Sequence, residues 1–528
     1  MLRIDQIRLL PGDSEALLPG KCARILRLPA EDIVSCAVLR RAIDAREGLT
    51  LVYTAAVEVK REDTVLRRCR DKRVSRYAPE TYVLPAAVTA PETPPIVVGA
   101  GPAGLFAALV LARCGARPIV LERGRPVEQR QADVERFWSG GALDTESNVQ
   151  FGEGGAGAFS DGKLNTGTRD VRHRFIMETL VRCGAPESIL ADAKPHVGTD
   201  MLHIALRKLR QELTEAGADI RFGARLESVR VKDGAVCGVT VRQDGAVYDL
   251  PARQVVLALG HSARDTFEML YRAGLAMEQK PFAMGVRIEH RQADVDAAQY
   301  RALAGHPALP PSTYKLSCHL PNGRSAFSFC VCPGGQVVAA ASETGRTVTN
   351  GMSEYARNGE NINGALLVNV TAEDFPSPHP LAGIALQRLV EEAAFALGGG
   401  DYRAPCQRVE DFLRGAPSAG AGRVTPSYRP GVVYTDMARC LPPFIAETLR
   451  LALPVLGKKL KGYDDPDALL TGVETRSSSP VRLVRDDNYE ANIRGIYPCG
   501  EGAGYAGGIL SAAADGMRCA EKLLEVCK

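Results

Sequence analysis

The chain has 528 residues, 45% of them hydrophobic and 24% charged, with a formal net charge of +3. That length suits about two to four domains, each able to bury a core, and the near-neutral charge argues against a nucleic-acid coat or an acidic tail. The N-terminus lacks a signal-peptide core and no run of 18 apolar residues occurs, so a soluble, cytoplasmic, multidomain protein without a membrane span is expected.

Residues 1–88 precede any nucleotide motif and read as a small N-terminal α/β domain. Within them, 32–45 (DIVSCAVLRRAIDA) reads as a capped amphipathic helix carrying Ile33, Val38, Leu39 and Ile43 near one side. Residues 51–59 (LVYTAAVEV) read as a strand. Segment 60–76 holds eight basic and three acidic residues; a solvated charged edge is preferred there over contact with RNA or a phosphorylated ligand. Pro91, Pro94 and Pro95 punctuate the linker 86–95 and mark a boundary.

Residues 96–122, IVVGAGPAGLFAALVLARCGARPIVLE, carry the strongest signal: strand, glycine turn, apolar helix, strand, acid. Gly99 suits the tight turn, Gly101 leaves room for a pyrophosphate, and Gly104 lets helix and strand pack closely. Pro102 and Ala103 open the helix, whose N-terminus attracts phosphate. Glu122, at the tip of the second strand and followed by Arg123, is placed to accept hydrogen bonds from ribose hydroxyls. The pattern GxGxxG recurs at Gly152, Gly154 and Gly157, with no strand before it, and is read there as a flexible loop. It recurs again at Gly502, Gly504 and Gly507, too near residue 528 to open a complete βαβ unit.

Beyond the turn, the polar stretch 123–140 leads to the glycine loop 152–163, and loops this glycine-rich are usually functional. A helix is expected over 200–217, then strands over 219–222, 224–232, 235–242 and 246–250. Asp233-Gly234 and Asp244-Gly245 supply hairpin turns. Residues 254–259 read as a buried strand ending in Gly260-His261-Ser262. The texture over 281–480 turns to strands, loops and prolines, and residues 481–528 return to strand, turn and helix.

These blocks resemble FAD-dependent oxidoreductases with a glutathione-reductase-like FAD domain. More closely, FGEGGAGAFSDGKL, FCVCPGG, VTNGM, LTGVETRSSSPVR and CGEGAGYAGGILSAAADG resemble a bacterial family of uncharacterised FAD-dependent dehydrogenases, over about residues 30–525. The resemblance implies an α/β fold: a Rossmann-like FAD-binding domain (94–280 and 481–528) with an inserted, largely antiparallel β substrate domain (281–480) and the small N-terminal domain. It implies that Gly500-Glu501 stands where relatives carry Gly-Asp beside the ribityl chain, with one extra methylene. Ala258-Leu259-Gly260 resembles the family's ATG turn. Gly154 and Gly155 would lie along the isoalloxazine, and the helix beginning at Gly507-Gly508-Ile509 would offer its dipole to charge on the reduced ring. The implied function is hydride transfer between flavin N5 and a small organic substrate, the cycle completed by a nicotinamide or another partner, with NAD(P)H visiting transiently or not at all.

Lys163, His261 and Tyr505 are the candidate catalytic residues. Lys163 is either close to the flavin or an anionic substrate, or a surface lysine; His261 and Tyr505 are candidate proton donors. Arg476, Ser477, Ser478, Ser479 and Arg482 suit an anion or form a loop cap. Cys330 and Cys332, two apart on a strand, should point to opposite faces and are read as structural. No CxxC pair or histidine cluster suggests a metal. Two other classes stay open: an FAD-dependent nucleic-acid-modifying protein guided by the basic segment, and a flavin-holding scaffold without turnover.

Overall fold

The computed structural model describes residues 1–45 and 48–526. Its first sheet is four-stranded, in the order Ile33–Asp44, Thr50–Val59, Leu2–Leu9, Val74–Arg76. Leu2, Ile4, Ile7 and Leu9 pack beneath Leu18, Cys22 and Leu26 of the helix Leu18–Leu26. The expected helix over 32–45 is therefore a strand. Its pairing with Thr50–Val59 slips twice, between Ile33 and Ser35 and between Val38 and Arg40. Each bulge resets the alternation, so Val34, Ala37, Arg40 and Ile43 are the exposed positions, every third residue. A bulged edge strand thus imitated helical spacing. Arg41 joins this edge to the rest of the molecule: its N–H donates to Ala191 O, and its guanidinium holds Asp192 at 2.8 Å.

The second sheet is parallel and five-stranded, in the order Ile496–Pro498, Val255–Leu257, Ile96–Val98, Ile119–Leu121, Asp219–Arg221. The strand Ile496–Pro498 lies beside one placed some 240 residues earlier. The helix Pro102–Arg113 is apolar all round and buried on every side but its ends, which is what a helix sandwiched between layers requires. One layer is the sheet; the other is the C-terminal helix Ile509–Val526, where a Cβ on Gly516 would collide with the backbone of Ala103. Strands Ala224–Lys232, Ala235–Gln243 and Ala246–Pro251 form a meander. Asp233, Gly234, Asp244 and Gly245 all have positive φ, as two-residue primed turns demand.

The third sheet has seven strands: Ser317–His319, Ser325–Cys332, Asn361–Val370, Phe282–Arg291, Leu469–Glu474, Ala404–Arg408 and Val432–Tyr434. Every pair is antiparallel except the last. The helix Pro443–Lys459 buries Ile445, Leu449, Leu453 and Leu456 against its apolar face.

Candidate functional site

A cavity of about 660 Å³ runs from the C-terminal ends of the parallel strands to the seven-stranded sheet. At one end stands the turn 99–104. Gly99 has φ +103°, and a Cβ there would strike the carbonyl of Ala258; one on Gly104 would strike the carbonyl of Gly99. Both positions need glycine for packing. Gly101 differs: the nearest atom to its Cβ position is the Cα of Gly155, 3.8 Å away, and the residue lines the cavity. The helix after it has no side-chain cap, so its N-terminus is open to an anion.

Glu122 does more than face a sugar. Its Oε1 accepts from Gly124 N and Gly152 N, both at 2.9 Å, and its Oε2 accepts from Ala100 N at 2.8 Å. The carboxylate staples the nucleotide turn to the glycine loop and keeps acceptor capacity on Oε2 alone. Arg123 is fully engaged: it pairs with Glu146 at 2.8 Å and Asp265 at 2.9 Å, and its guanidinium lies 4.2 Å over the Phe151 ring. It shapes the wall and has no free fork for a phosphate, contrary to a direct cofactor contact.

The glycine loop is not slack. Arg130, wholly buried on the helix Val127–Trp138, donates to the carbonyls of Asn148 (2.8 Å), Val149 (2.9 Å) and Glu153 (2.6 Å). Gly154 N donates to Ala100 O at 2.8 Å, and Gly155 lies on Gly101. Sequence reading passed over Arg130; its only signal was an arginine on the apolar side of that helix.

At the C-terminal turn, Gly500 N donates to Asp515, which Arg485 grips at 2.7 Å. Glu501 lines the cavity and receives the N–H of Gly508; burial pushes its carboxyl up to about 7. Cβ positions on Gly260, Gly507 and Gly508 meet nothing within 4 Å, and Gly507, Gly508 and Ile509 line the cavity where the last helix begins. Tyr505 does not line it. Its ring is stacked under Arg485 at 3.8 Å, and Arg482 covers it too, because the turn 500–505 reverses the chain outward. As a proton donor to the cavity Tyr505 is misplaced, and Arg482 points to solvent.

His261 lines the cavity, with Nδ1 3.1 Å from Ser262 Oγ. Burial, with Arg476 and Arg264 nearby, pushes it down to about 3. It is therefore neutral at pH 7 and cannot serve as an imidazolium acid. The folded pKa lies below the unfolded one, so its contribution to stability is complete above about pH 6.5 and declines as pH falls toward 3. A ring-resonance titration should show no protonation of His261 between pH 5 and 8; a midpoint near 6.5 would contradict this burial.

Lys163 is no surface lysine. It lines the cavity, donates to the carbonyl of Val331 and pairs with Asp161 at 3.0 Å. Arg476 also borders the cavity, but Glu391 holds it at 2.8 Å and Ser342 accepts from it. It is a structural ion pair, not a free anion receptor. Ser477 donates to Ala283 O, and Ser479 to Val481 O. At the far end, Glu474 grips Arg287 at 2.6 and 2.9 Å, and burial pushes its carboxyl up to about 6. Arg287 also reaches Cys330 O and Asn350 Oδ1, both at 2.8 Å. Arg287 and Glu474 were not singled out from sequence, since each sits in an ordinary strand pattern. The opposite-face reading of Cys330 and Cys332 fails too: the strand is bulged at Cys330, which has φ +42°.

The parallel sheet, its glycine turn and the uncapped helix are those of a dinucleotide-binding protein. Residues 95–158 match an FAD-binding domain family, 281–477 match the C-terminal domain-like family of FAD-dependent proteins, and 1–60 match a domain of unknown function. The chain thus joins an FAD-binding domain to a C-terminal domain of FAD-dependent proteins. It is 45% identical to an uncharacterised protein of Clostridium beijerinckii over 99% of this chain and 98% of that one. It belongs to that uncharacterised protein family, which joins an FAD-binding domain to an FAD-dependent C-terminal domain. Protein FixC of Escherichia coli is 30% identical over 37% of this chain and 42% of its own. A geranylgeranyl bacteriochlorophyll reductase-like structure from Thermoplasma acidophilum aligns over 82% of this chain and 79% of its own, with 14% identity and a TM-score of 0.37. Among the described residues, no helix is long and apolar enough to cross a membrane, and no cluster of metal-ligating side chains occurs.

Proposed function

We propose that this protein is an FAD-dependent oxidoreductase acting on a small organic substrate, with 94–280 and 481–528 as the FAD unit, 281–480 as the substrate unit and 1–88 as an appendage. The observation that carries the reading is the continuity of one cavity from Gly101 to Glu474. Its near end fits FAD. Gly101 clears the space a pyrophosphate needs, the open helix N-terminus and Glu122 meet phosphate and ribose, and Gly260, Gly507 and Gly508 leave backbone bare for a flat ring.

FAD, once bound, supplies two-electron transfer through N5. The chain's own part is to position and to exclude water. Phe327 and Phe329 wall the far end. The N-terminus of Ile509–Val526 offers a positive dipole to charge accumulating on the ring. Glu474 and Glu501, both raised toward neutral pH by burial, are the groups able to hold or release a proton along the cavity. Lys163 and Arg287 are each matched by a carboxylate, which supports a polar but uncharged substrate over an anionic one. No residue of the basic segment lines the cavity, and Arg73 and Arg76 are paired with Asp71 and Asp63. That favours a solvated edge over a nucleic-acid guide.

The purified protein is expected to be yellow, and NADH or NADPH added without oxygen tests the donor. Bleaching identifies a nicotinamide donor. A colour that persists makes the protein a substrate dehydrogenase or a scaffold. A colourless protein unable to take up FAD ends the reading.

A further inference from the structure

Regular alternation would part Cys330 from Cys332. The pairing of Ser325–Cys332 with Asn361–Val370 slips between Phe329 and Cys332, and Cys330 takes the left-handed backbone region. The bulge cancels the alternation and re-aims a side chain, as bulges beside sites do. The Cys332 thiol donates to Cys330 O at 3.4 Å, which turns it back toward Cys330.

Two cations flank the pair. Lys163 Nζ donates to the carbonyl of Val331, the residue between them, and Arg287 donates to Cys330 O at 2.8 Å. The hydrogen bond from Cys332, with Lys163 and Arg287, holds the Cys330 thiol well below its usual range, while Cys332, as donor, is pushed up. A thiolate beside a protonated partner is the arrangement from which disulfides form. Cys330 lines the cavity, and its charge raises the carboxyls of Glu474 on one side and Glu501 on the other. The Cys22 and Cys36 thiols, 3.9 Å apart between the helix Leu18–Leu26 and the N-terminal sheet, touch no part of the cavity.

We propose that Cys330 and Cys332 form a dithiol–disulfide couple that exchanges two electrons with FAD across this end of the cavity. The proposal rests on the FAD reading above. In the oxidising direction the Cys330 thiolate and the Cys332 thiol lose one S–H bond and form one S–S bond. The two electrons and one proton released convert oxidised FAD to its anionic two-electron-reduced form; the reverse reaction returns the thiolate and the thiol.

The first measurement does not depend on the flavin. Apoprotein equilibrated with oxidised glutathione is alkylated, digested and weighed. The peptide holding residues 330–332 should be two hydrogens lighter and resist alkylation until dithiothreitol is added. The second is an anaerobic dithionite titration of the oxidised FAD-loaded protein, which should consume four electrons per flavin in the wild type and two in Cys332→Ser. Free alkylation of both cysteines after oxidation would overturn the couple whether or not FAD binds. A disulfide that forms while the wild type takes up only two electrons would overturn the exchange with flavin. Failure of any FAD to bind would overturn the oxidoreductase reading and the exchange with it, leaving the alkylation result to stand alone.

Discussion

Gly101→Val is expected to strip the protein of FAD while leaving it folded. Gly101 sits at φ −76°, ψ −179°, extended backbone that any residue adopts, so valine brings no backbone strain. A Cβ there would be 3.8 Å from the Cα of Gly155, an ordinary contact. The two valine methyls reach further, into the space between the turn 99–104 and the glycine loop, where the pyrophosphate must approach the helix N-terminus. We expect FAD affinity to fall on the order of 100-fold, about 2 to 3 kcal/mol, in a titration of apoprotein followed by flavin fluorescence. Gly101→Ala should fall much less, and both variants should melt close to the wild type. Undiminished binding by the valine variant would remove the central assignment. Gly99 and Gly104 make poor probes because their Cβ atoms would collide with backbone, so loss of fold and loss of cofactor could not be told apart.

The second large effect is expected at Glu391, which is far from any motif. Its carboxylate, fully buried on the helix Ala382–Leu397, takes Arg264 at 2.7 Å and Arg476 at 2.8 Å, and Thr475 donates to it at 2.6 Å. Arg264 begins the helix that follows the strand Val255–Leu257, whereas Arg476 follows the strand Leu469–Glu474 of the seven-stranded sheet. One carboxylate thus ties the two sheets together beside the cavity. Glu391→Gln keeps the shape and removes the charge, leaving two buried guanidinium groups short of a counter-ion; Arg264 retains only Glu343, at 2.6 Å. Breaking a buried pair in this way costs about 3 to 5 kcal/mol, or roughly 10 °C in the melting of the unit concerned.

The pH dependence gives that prediction a second edge. Arg264 and Arg476 overcome the burial of Glu391 and hold its carboxyl well below the usual carboxylate range. A carboxylate depressed on folding stabilises fully above its unfolded pKa, near 4.3, and loses that contribution as pH falls toward the folded value. The gap in stability between wild type and Glu391→Gln should be constant from pH 8 to 5 and close below about pH 4. A gap that widens in acid would mean that Glu391 is protonated and the network is held by hydrogen bonds alone.

Short-range chemistry was legible in the chain. The spacing of Gly99, Gly101 and Gly104 after Ile96–Val98 dictated a strand, a turn and a helix, because backbone conformation and close packing at Gly99 and Gly104 tolerate only glycine. Asp233-Gly234 and Asp244-Gly245 dictated their hairpins for the same local reason. Bulges were illegible. At Ile33–Asp44 two of them turned a strand's exposure pattern into a helix's, and at Cys330 one turned two divergent thiols into a pair. Slips of this kind depend on the partner strand, which the local sequence does not contain.

Charge was the other blind spot. Arg123 and Arg476 read alike as basic residues near a nucleotide site, and Arg130 drew no reading, yet each is held by groups distant in sequence: Asp265, Glu391, and the carbonyls of 148–153. An arginine next to a cavity is available to a ligand only if its fork is empty, and that depends on long-range partners. The sequence by itself determined that a dinucleotide turn exists and where it lies, since sterics over a few residues decide it. The tertiary structure decided what surrounds the turn, that Tyr505 faces away, that Lys163 is held against Val331 and that the strand bulges at Cys330, because burial and strand register depend on partner segments remote in the chain.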